Sequence, residues 1–169
     1  GRFERFRHDP GDPGSLSNNE VRALYLDREN TLWVGTGFPW DGNPGGGLNR
    51  YDRQTKTFER FLHDPDDPRT LSGNEVRAIL EDEAGNFWVG THGDGLHLMD
   101  RQSGTFQRLP HDPGQPQRLS QPHLPNSDLE SGVTFLFQDQ RERLWIGAYN
   151  GGLVHYDPAT EDLRHYYFS

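Results

Sequence analysis

The 169 residues predict an all-β chain of β-propeller blades: three four-stranded antiparallel meanders plus one extra edge strand, a partial propeller or one completed by oligomerisation. Two observations carry that expectation. The stretch Leu32-Trp33-Val34-Gly35-Thr36 returns as Phe87-Trp88-Val89-Gly90-Thr91 and again as Leu144-Trp145-Ile146-Gly147-Ala148, so one unit occurs three times. Twenty glycines, twelve prolines and many Asp and Asn residues break the apolar positions into short runs, the composition of many strands joined by tight turns. Trp33 and Trp88 are 55 residues apart and Trp88 and Trp145 are 57 apart, whereas His63-Asp64-Pro65 and His111-Asp112-Pro113 are separated by 48. A 48-residue unit with insertions after Gly35 and after His111 reconciles the three values.

The second copy has the shortest loops and shows the unit most plainly. Strands are expected at 75–82, 86–91, 95–100 and 105–109, with Asp82-Glu83-Ala84-Gly85-Asn86 and Arg101-Gln102-Ser103-Gly104-Thr105 as hairpin turns. A helix competes for the first slot. Ser72-Gly73-Asn74-Glu75 reads as a capping box, and Val76, Ile79 and Leu80 fall at helical spacing. The third copy decides for the strand, because its slot reads Gly132-Val133-Thr134-Phe135-Leu136-Phe137, rich in β-branched and aromatic residues. The blades then span 20–61, 75–109 and 132–167, within segments 20–74, 75–131 and 132–169. Residues 1–19 supply a loop and an extra outer strand at 3–7. A four-stranded unit of this length cannot bury both faces alone, so Trp33, Trp88 and Trp145 are expected to fill the space between blades, with Gly35, Gly90 and Gly147 at bulges or close approaches. Three blades leave two open faces and unpaired edges, which invite self-association or completion by further blades.

Composition narrows the function classes. A formal charge of −9, with arginines dispersed among acids, disfavours nucleic acid as a partner. No apolar run approaches the length of a membrane span, so no direct membrane insertion is expected. Without cysteine, disulfides and thiolate metal sites are impossible.

The pattern H-D-P-x-D-P-x-x-L-S-x-N-E-V-R-A-[LI], then L-W-V-G-T, G-G-L-N-R-Y-D and T-F-x-R-F, resembles the two-component regulator propeller repeat. It is carried by His8 to Leu24, Leu32 to Thr36, Gly46 to Asp52 and Thr57 to Phe61. The resemblance implies seven-bladed propellers, commonly in tandem pairs, in the periplasmic sensor region of hybrid two-component regulators that detect glycan fragments. It therefore implies a sensory role and a periplasmic or extracellular location. The third copy departs from the pattern: Gln115 replaces the second loop Asp, an insertion interrupts Ser-x-Asn-Glu, and Ala148 replaces Thr.

In such a meander the loop after the second strand and the loop leading to the next blade open on one face, so both insertions lie on one side. Phe38, Trp40, Asp41 and Asn43 come from the first insertion, His123 and Asn126 from the second, and His92, Asp94, Tyr149 and Asn150 from matching positions on the other blades. Aromatic rings beside amide and carboxylate groups suit a sugar, whose C–H face a ring can cover while polar neighbours take hydroxyls. These ten residues are the candidate ligand site. Decorative surface loops are the competing interpretation. The recurring His-Asp-Pro triplets read as turn and backbone-capping devices rather than a metal site, and Asp64, Asp66 and Asp67 match a calcium loop poorly. No metal or other cofactor is expected. No nucleophile elbow, zinc-protease or phosphate-loop motif occurs, so the expected role is non-catalytic. Arg22, Arg77, Glu81 and Gln138 are expected to line a solvated channel between inner strands. The readings are ordered as a sensory ligand-binding segment, then a protein-interaction scaffold, then a propeller lyase or hydrolase.

Overall fold

A computed structural model describes residues 3–38, 45–93, 95–110, 112, 114–115, 119–120 and 132–166. They form three antiparallel sheets of sequential hairpins, each in the order inner to outer strand. Blade 1 comprises β1 (Val21–Leu26), β2 (Leu32–Gly37), β3 (Gly46–Asp52) and β4 (Thr57–Phe61). Blade 2 comprises β5 (Val76–Glu81), β6 (Phe87–Thr91), β7 (Gly95–Asp100) and β8 (Thr105–Arg108). Blade 3 comprises β9 (Gly132–Gln138), β10 (Leu144–Tyr149), β11 (Gly152–Asp157) and β12 (Asp162–Tyr166). Val21 and Val76 both open strands, so the capping-box reading gives way. The reason is tertiary. β5 lies between two other blades and buries Val76 and Ile79 on one face and Ala78 on the other, and a strand buried on both faces loses the alternation that distinguishes it from a helix.

The blades stack through two apolar layers. Trp33, Leu48, Val76, Ile79, Phe87, Val89 and Phe106 close the space between blades 1 and 2, with Phe61 against them. Ala78, Trp88, Leu96, Val133, Ile146 and Val154 do so between blades 2 and 3. Glycine sets the spacing. A Cβ added to Gly35 would lie 2.7 Å from Val76 Cγ1, and one added to Gly90 would lie 2.4 Å from Val133 Cγ1, so the repeated glycine is the socket into which the next blade's first valine fits. Each indole is also tied to its own hairpin. The Nε1–H groups of Trp33, Trp88 and Trp145 donate to Asp27, Asp82 and Asp139 at 2.8, 2.8 and 3.0 Å. The other carboxylate oxygen accepts a backbone N–H from Thr31, Asn86 or Arg143.

Charged groups stitch blade 1 to blade 2 at the end opposite the insertions. Arg101 donates to Asp27 at 3.0 Å and to Glu81 at 2.7 Å, and both carboxylates are buried. Burial works against the Arg101 charge, but its bonds to Glu81 and Asp27 outweigh it and raise its pKa. Glu81 therefore belongs to an interblade ion cluster and not to a solvated channel. Gln138 is likewise engaged, accepting the Glu83 N–H at 2.7 Å.

The expected extra strand at 3–7 is not formed; the segment is extended but has no ladder partner. Its place is nonetheless that of an outer strand. Phe6 meets Phe58 edge-on at 5.5 Å, as the corresponding Phe61 of blade 1 meets Phe106 of blade 2 at 6.3 Å. A lone fourth strand lacks the third strand that would supply its hydrogen bonds, so the segment is held by side-chain contacts, the Phe6 ring against Tyr51 and Phe58 and Glu4 paired with Lys56 at 2.8 Å. Two faces stay open: Val21, Leu24 and Leu26 on blade 1, and Phe135, Phe137, Tyr149 and Tyr166 on blade 3, are exposed. Among the described residues no helix is long and apolar enough to cross a membrane.

Candidate functional site

The loops leading into blades 1 and 2 are rigid because nearly every polar side chain in them caps a backbone group. The His8 and His63 ring nitrogens Nδ1 sit 2.7 Å from the Leu16 and Leu71 carbonyls, while their backbone N–H groups donate to Asn19 and Asn74. Asp9 and Asp64 accept from Gly11 and Asp66, and Asp12 and Asp67 accept from Gly14 and Arg69. The His-Asp-Pro motif is thus a turn scaffold, as its chemistry suggests. The guanidiniums of Arg60 and Arg108 clamp the same loops onto the outer strands through the Ser15 and Thr70 carbonyls.

A buried clasp then seats each loop. In blade 1, Asn49 accepts the Ser17 N–H at 2.9 Å and donates to the Val34 carbonyl at 3.0 Å. In blade 2, His97 fills the equivalent position: its Nε2 accepts the Ser72 N–H at 3.0 Å, which leaves Nδ1 to donate to the Val89 carbonyl at 3.2 Å. Burial pulls the His97 pKa down to about 4, so the ring is neutral near pH 7. Blade 3 has Val154 there, whose side chain can neither accept nor donate such bonds. Sequence reasoning passed over His97 and Asn49; their shared register, three residues before Asp100 and Asp52 respectively, was the available signal.

These seatings bring the ends of the second strands beside the starts of the inner strands. The Gly37 N–H donates to the Glu20 carbonyl at 2.9 Å, the His92 N–H donates to the Glu75 carbonyl at 3.0 Å, and the Asn18 side chain reaches the Gly45 carbonyl at 2.8 Å. The loop after the second strand and the loop entering the blade therefore share one face. On it Phe38 lies 4.3 Å beneath the Arg22 guanidinium, and the rings of His92 and Tyr149, at the same register of blades 2 and 3, are 6.3 Å apart. Tyr149 is exposed, and Phe38, His92 and Asn150 are half-buried. Asn150 takes a left-handed conformation in the turn beyond β10. Trp40, Asp41, Asn43, Asp94, His123 and Asn126 lie outside the described residues. Among the described residues no group of three His, Cys, Asp or Glu side chains is placed to hold a metal ion.

Comparison with known proteins agrees with this architecture. The family model for the two-component regulator propeller matches residues 15–38 and 70–93, the loop end and first two strands of blades 1 and 2. Among solved structures, the extracellular domain of a hybrid two-component system from B. thetaiotaomicron superposes with a TM-score of 0.69 at 22% identity, over 95% of this chain and 20% of that one. A second such domain from the same organism superposes with a TM-score of 0.61 at 24% identity, over 89% of this chain and 17% of that one. The chain thus spans only a small part of either neighbour, and at these identities the likeness speaks for the fold. No curated protein matches the chain by sequence. The repeated motif, the blade geometry and the match over residues 15–38 and 70–93 agree in making the chain similar to blades of the two-component regulator propeller.

Proposed function

We propose that this segment is a non-catalytic sensory part of a two-component-type regulator, lying outside the cytoplasmic membrane in the periplasm or beyond it, and binding a soluble glycan on its loop face. The observation that carries the proposal is the contrast between rigid mounting and exposed cargo. Capped loops and buried clasps fix the backbone, while Tyr149 stands exposed beside the half-buried His92, and the half-buried Phe38 lies at the matching strand end of blade 1. A pre-formed aromatic platform loses little entropy on binding, which favours recognition of a weakly polar sugar face. Trp40, Asp41, Asn43, Asp94, Asn150, His123 and Asn126 belong to the same proposed surface by their positions in the sequence. The open blade faces are closed either by the remaining blades of a longer chain or by a second copy.

Calorimetric titration with a panel of oligosaccharides tests this directly. At least one is expected to bind, and to bind at least ten-fold more weakly to the Tyr149→Ala and Trp40→Ala variants. A panel-wide absence of heat, or affinities that ignore both substitutions, removes the glycan reading and leaves the protein-interaction scaffold as the better account.

A further inference from the structure

The β2–β3 hairpin of blade 1 runs one pair further than its counterparts. Its ladder continues past Thr36 and Gly47 to Gly37 and Gly46, whereas that of blade 2 ends at Thr91 and Gly95 and that of blade 3 at Ala148 and Gly152. Gly37 falls at the register of His92 and Tyr149, one residue beyond the partner of each blade's first valine. Where two blades carry a ring, blade 1 carries no side chain. The loop entering blade 2 is the reason. A Cβ added to Gly37 would lie 2.7 Å from the Asn74 carbonyl oxygen and 3.1 Å from Glu75 Cα, and one added to Gly46 would run into the same oxygen. Asn74 is itself fixed, since its side chain accepts the His63 N–H at 2.7 Å and Ser72, two residues before it, is seated on His97.

The other flank of the hairpin end is held from blade 1's own entering loop. Asn18 is 3% exposed; its Oδ1 accepts the Glu20 N–H at 2.7 Å and its Nδ2 donates to the Gly45 carbonyl at 2.8 Å. The first bond is a local turn of the kind Asn makes with its own backbone, and the second reaches across to the returning end of the insertion. Comparison of the repeats separates the two. Ser72-Gly73-Asn74-Glu75 has glycine where Ser17-Asn18-Asn19-Glu20 has Asn18, yet β5 starts at the matching valine, so the bend before the inner strand forms without that side chain. What blade 2 lacks is the insertion: residues 38–45 lie between Gly37 and Gly46, but only 92–94 between Thr91 and Gly95. A buried amide costs stability unless its bonds are made, and this one occurs where there is a long loop to hold.

We propose that Asn18 is a positioning residue of the ligand face. Together with the Asn74 carbonyl closing on the Gly37–Gly46 pair, it fixes the points at which the insertion leaves and rejoins blade 1, so that Phe38 enters that face as blade 1's counterpart of His92 and Tyr149. The mount is shared between blades, with Asn18 on one side and Asn74 on the other. This rests on the glycan reading above for the ligand, and on hydrogen bonds and close approaches alone for the positioning. Holding the hairpin end before the ligand arrives lowers the ordering cost of binding.

Two measurements separate mount from ligand. Amide relaxation of Gly45, Gly46 and Gly47 by NMR reads the mount without a ligand, and calorimetric titration with hexasaccharides of glucose, mannose and xylose reads recognition. Asn18→Asp keeps an acceptor for the Glu20 N–H but sets its second oxygen against the Gly45 carbonyl. Gly46→Ala acts through Asn74 and removes neither Asn18 bond. Gly73→Asn places the same side chain in blade 2, where an added Cβ meets nothing closer than 3.4 Å. Asn18→Asp and Gly46→Ala are expected to loosen the three glycines, to leave the amides of blade 3 as in the parent, and to weaken every hexasaccharide the parent binds by about ten-fold or more; Gly73→Asn changes neither readout. Should Asn18→Asp fail to fold, Gly46→Ala carries both measurements. Glycine motion unaltered in the variants overturns the positioning role whatever the sugars do, and so does a loosening spread evenly over blade 1, which marks Asn18 as merely structural. Loosened glycines with unchanged sugar affinity overturn the role in recognition and leave the glycan reading standing. Loosened glycines in a chain that binds none of the hexasaccharides support the mount and overturn the glycan reading.

Discussion

The junction between blades 1 and 2 and the free face of blade 3 are the same surface of the repeat in two circumstances. At the junction, Gly35 and Ala23 form a socket for Val76, Asp27 shares its charge with Arg101 of the next blade, and Trp33 is 1% exposed. On blade 3 the socket is filled from within: Phe135 stands where Ala23 and Ala78 stand, and its ring occupies the space over Gly147. Asp139 takes its cation from Arg143 of its own hairpin, and the Arg143 and Trp145 hydrogen bonds hold its carboxyl well below the usual carboxylate range. Trp145 keeps its indole bond but is only half-buried, stacked on Tyr166 and close to His155, whose ring nitrogens have no hydrogen-bond partner among the described residues. The difference teaches that the tryptophan is seated by its own hairpin, whereas its energetic worth comes from the neighbouring blade. A repeat can thus keep its motif while its contribution to stability varies with position in the stack.

Removing the indole exposes this difference most strongly. Trp33→Ala deletes a fully buried side chain and is expected to cost about 3–5 kcal/mol in urea unfolding, while Trp145→Ala is expected to cost less than half as much. Similar losses would mean that the blade 3 face is covered in solution, and light scattering would then show whether a second copy covers it.

The clasps offer a second comparison, between His97 and Asn49. Both accept a serine N–H and donate to a strand carbonyl, but only the imidazole titrates. Its pKa is about 4 in the fold against 6.5 for the unperturbed group. Between those values the unfolded chain binds a proton that the fold refuses, so stability falls as pH drops from 6.5 towards 4 and the loss levels off below that. The full loss is roughly 3 kcal/mol. Protonated Nε2 would also confront the Ser72 N–H, donor against donor. His97→Asn, which copies blade 1, is expected to flatten that part of the pH profile. An unchanged slope would place the acid sensitivity elsewhere.

Features that repeat locally were legible in the sequence; features that join distant segments were not. Strand positions, the glycine approach and the capping role of the His-Asp-Pro turns all follow from residues within one unit, and three copies allowed one to arbitrate for another, as Phe135 and Phe137 did against the helix at Val76. Glu81 was misplaced because its partner Arg101 is a separate hairpin away and Asp27 lies in another blade. The segment at 3–7 carries the motif of a fourth strand, but a motif cannot supply the ladder of a missing third. Of the site, Phe38, His92, Tyr149 and Asn150 could be placed on one face from the meander alone. The bulges at Arg22 and Arg77 depend on pairing register, which a single strand does not display.

The socket comparison gives the finest test. A methyl group on Gly90 would meet Val133 at Cγ1 and also at Cβ, 2.8 Å away, and Cβ cannot swing aside without moving β9. Gly35 is similarly confined by the Val76 carbonyl at 2.8 Å. Neither glycine needs a left-handed backbone, so any cost of Gly35→Ala or Gly90→Ala comes from separating blades, and about 1–3 kcal/mol is expected for each. The three atoms nearest to a methyl group on Gly147 are all ring atoms of Phe135, a side chain that is half exposed and can yield towards solvent at less cost than buried backbone. Gly147→Ala is therefore expected to cost under about 1 kcal/mol, and Gly147→Ala combined with Phe135→Ala should cost no more than Phe135→Ala alone. A penalty at Gly147 equal to that at Gly90 would show that Phe135 is pinned in place, and hence that a further blade or a second copy lies against it.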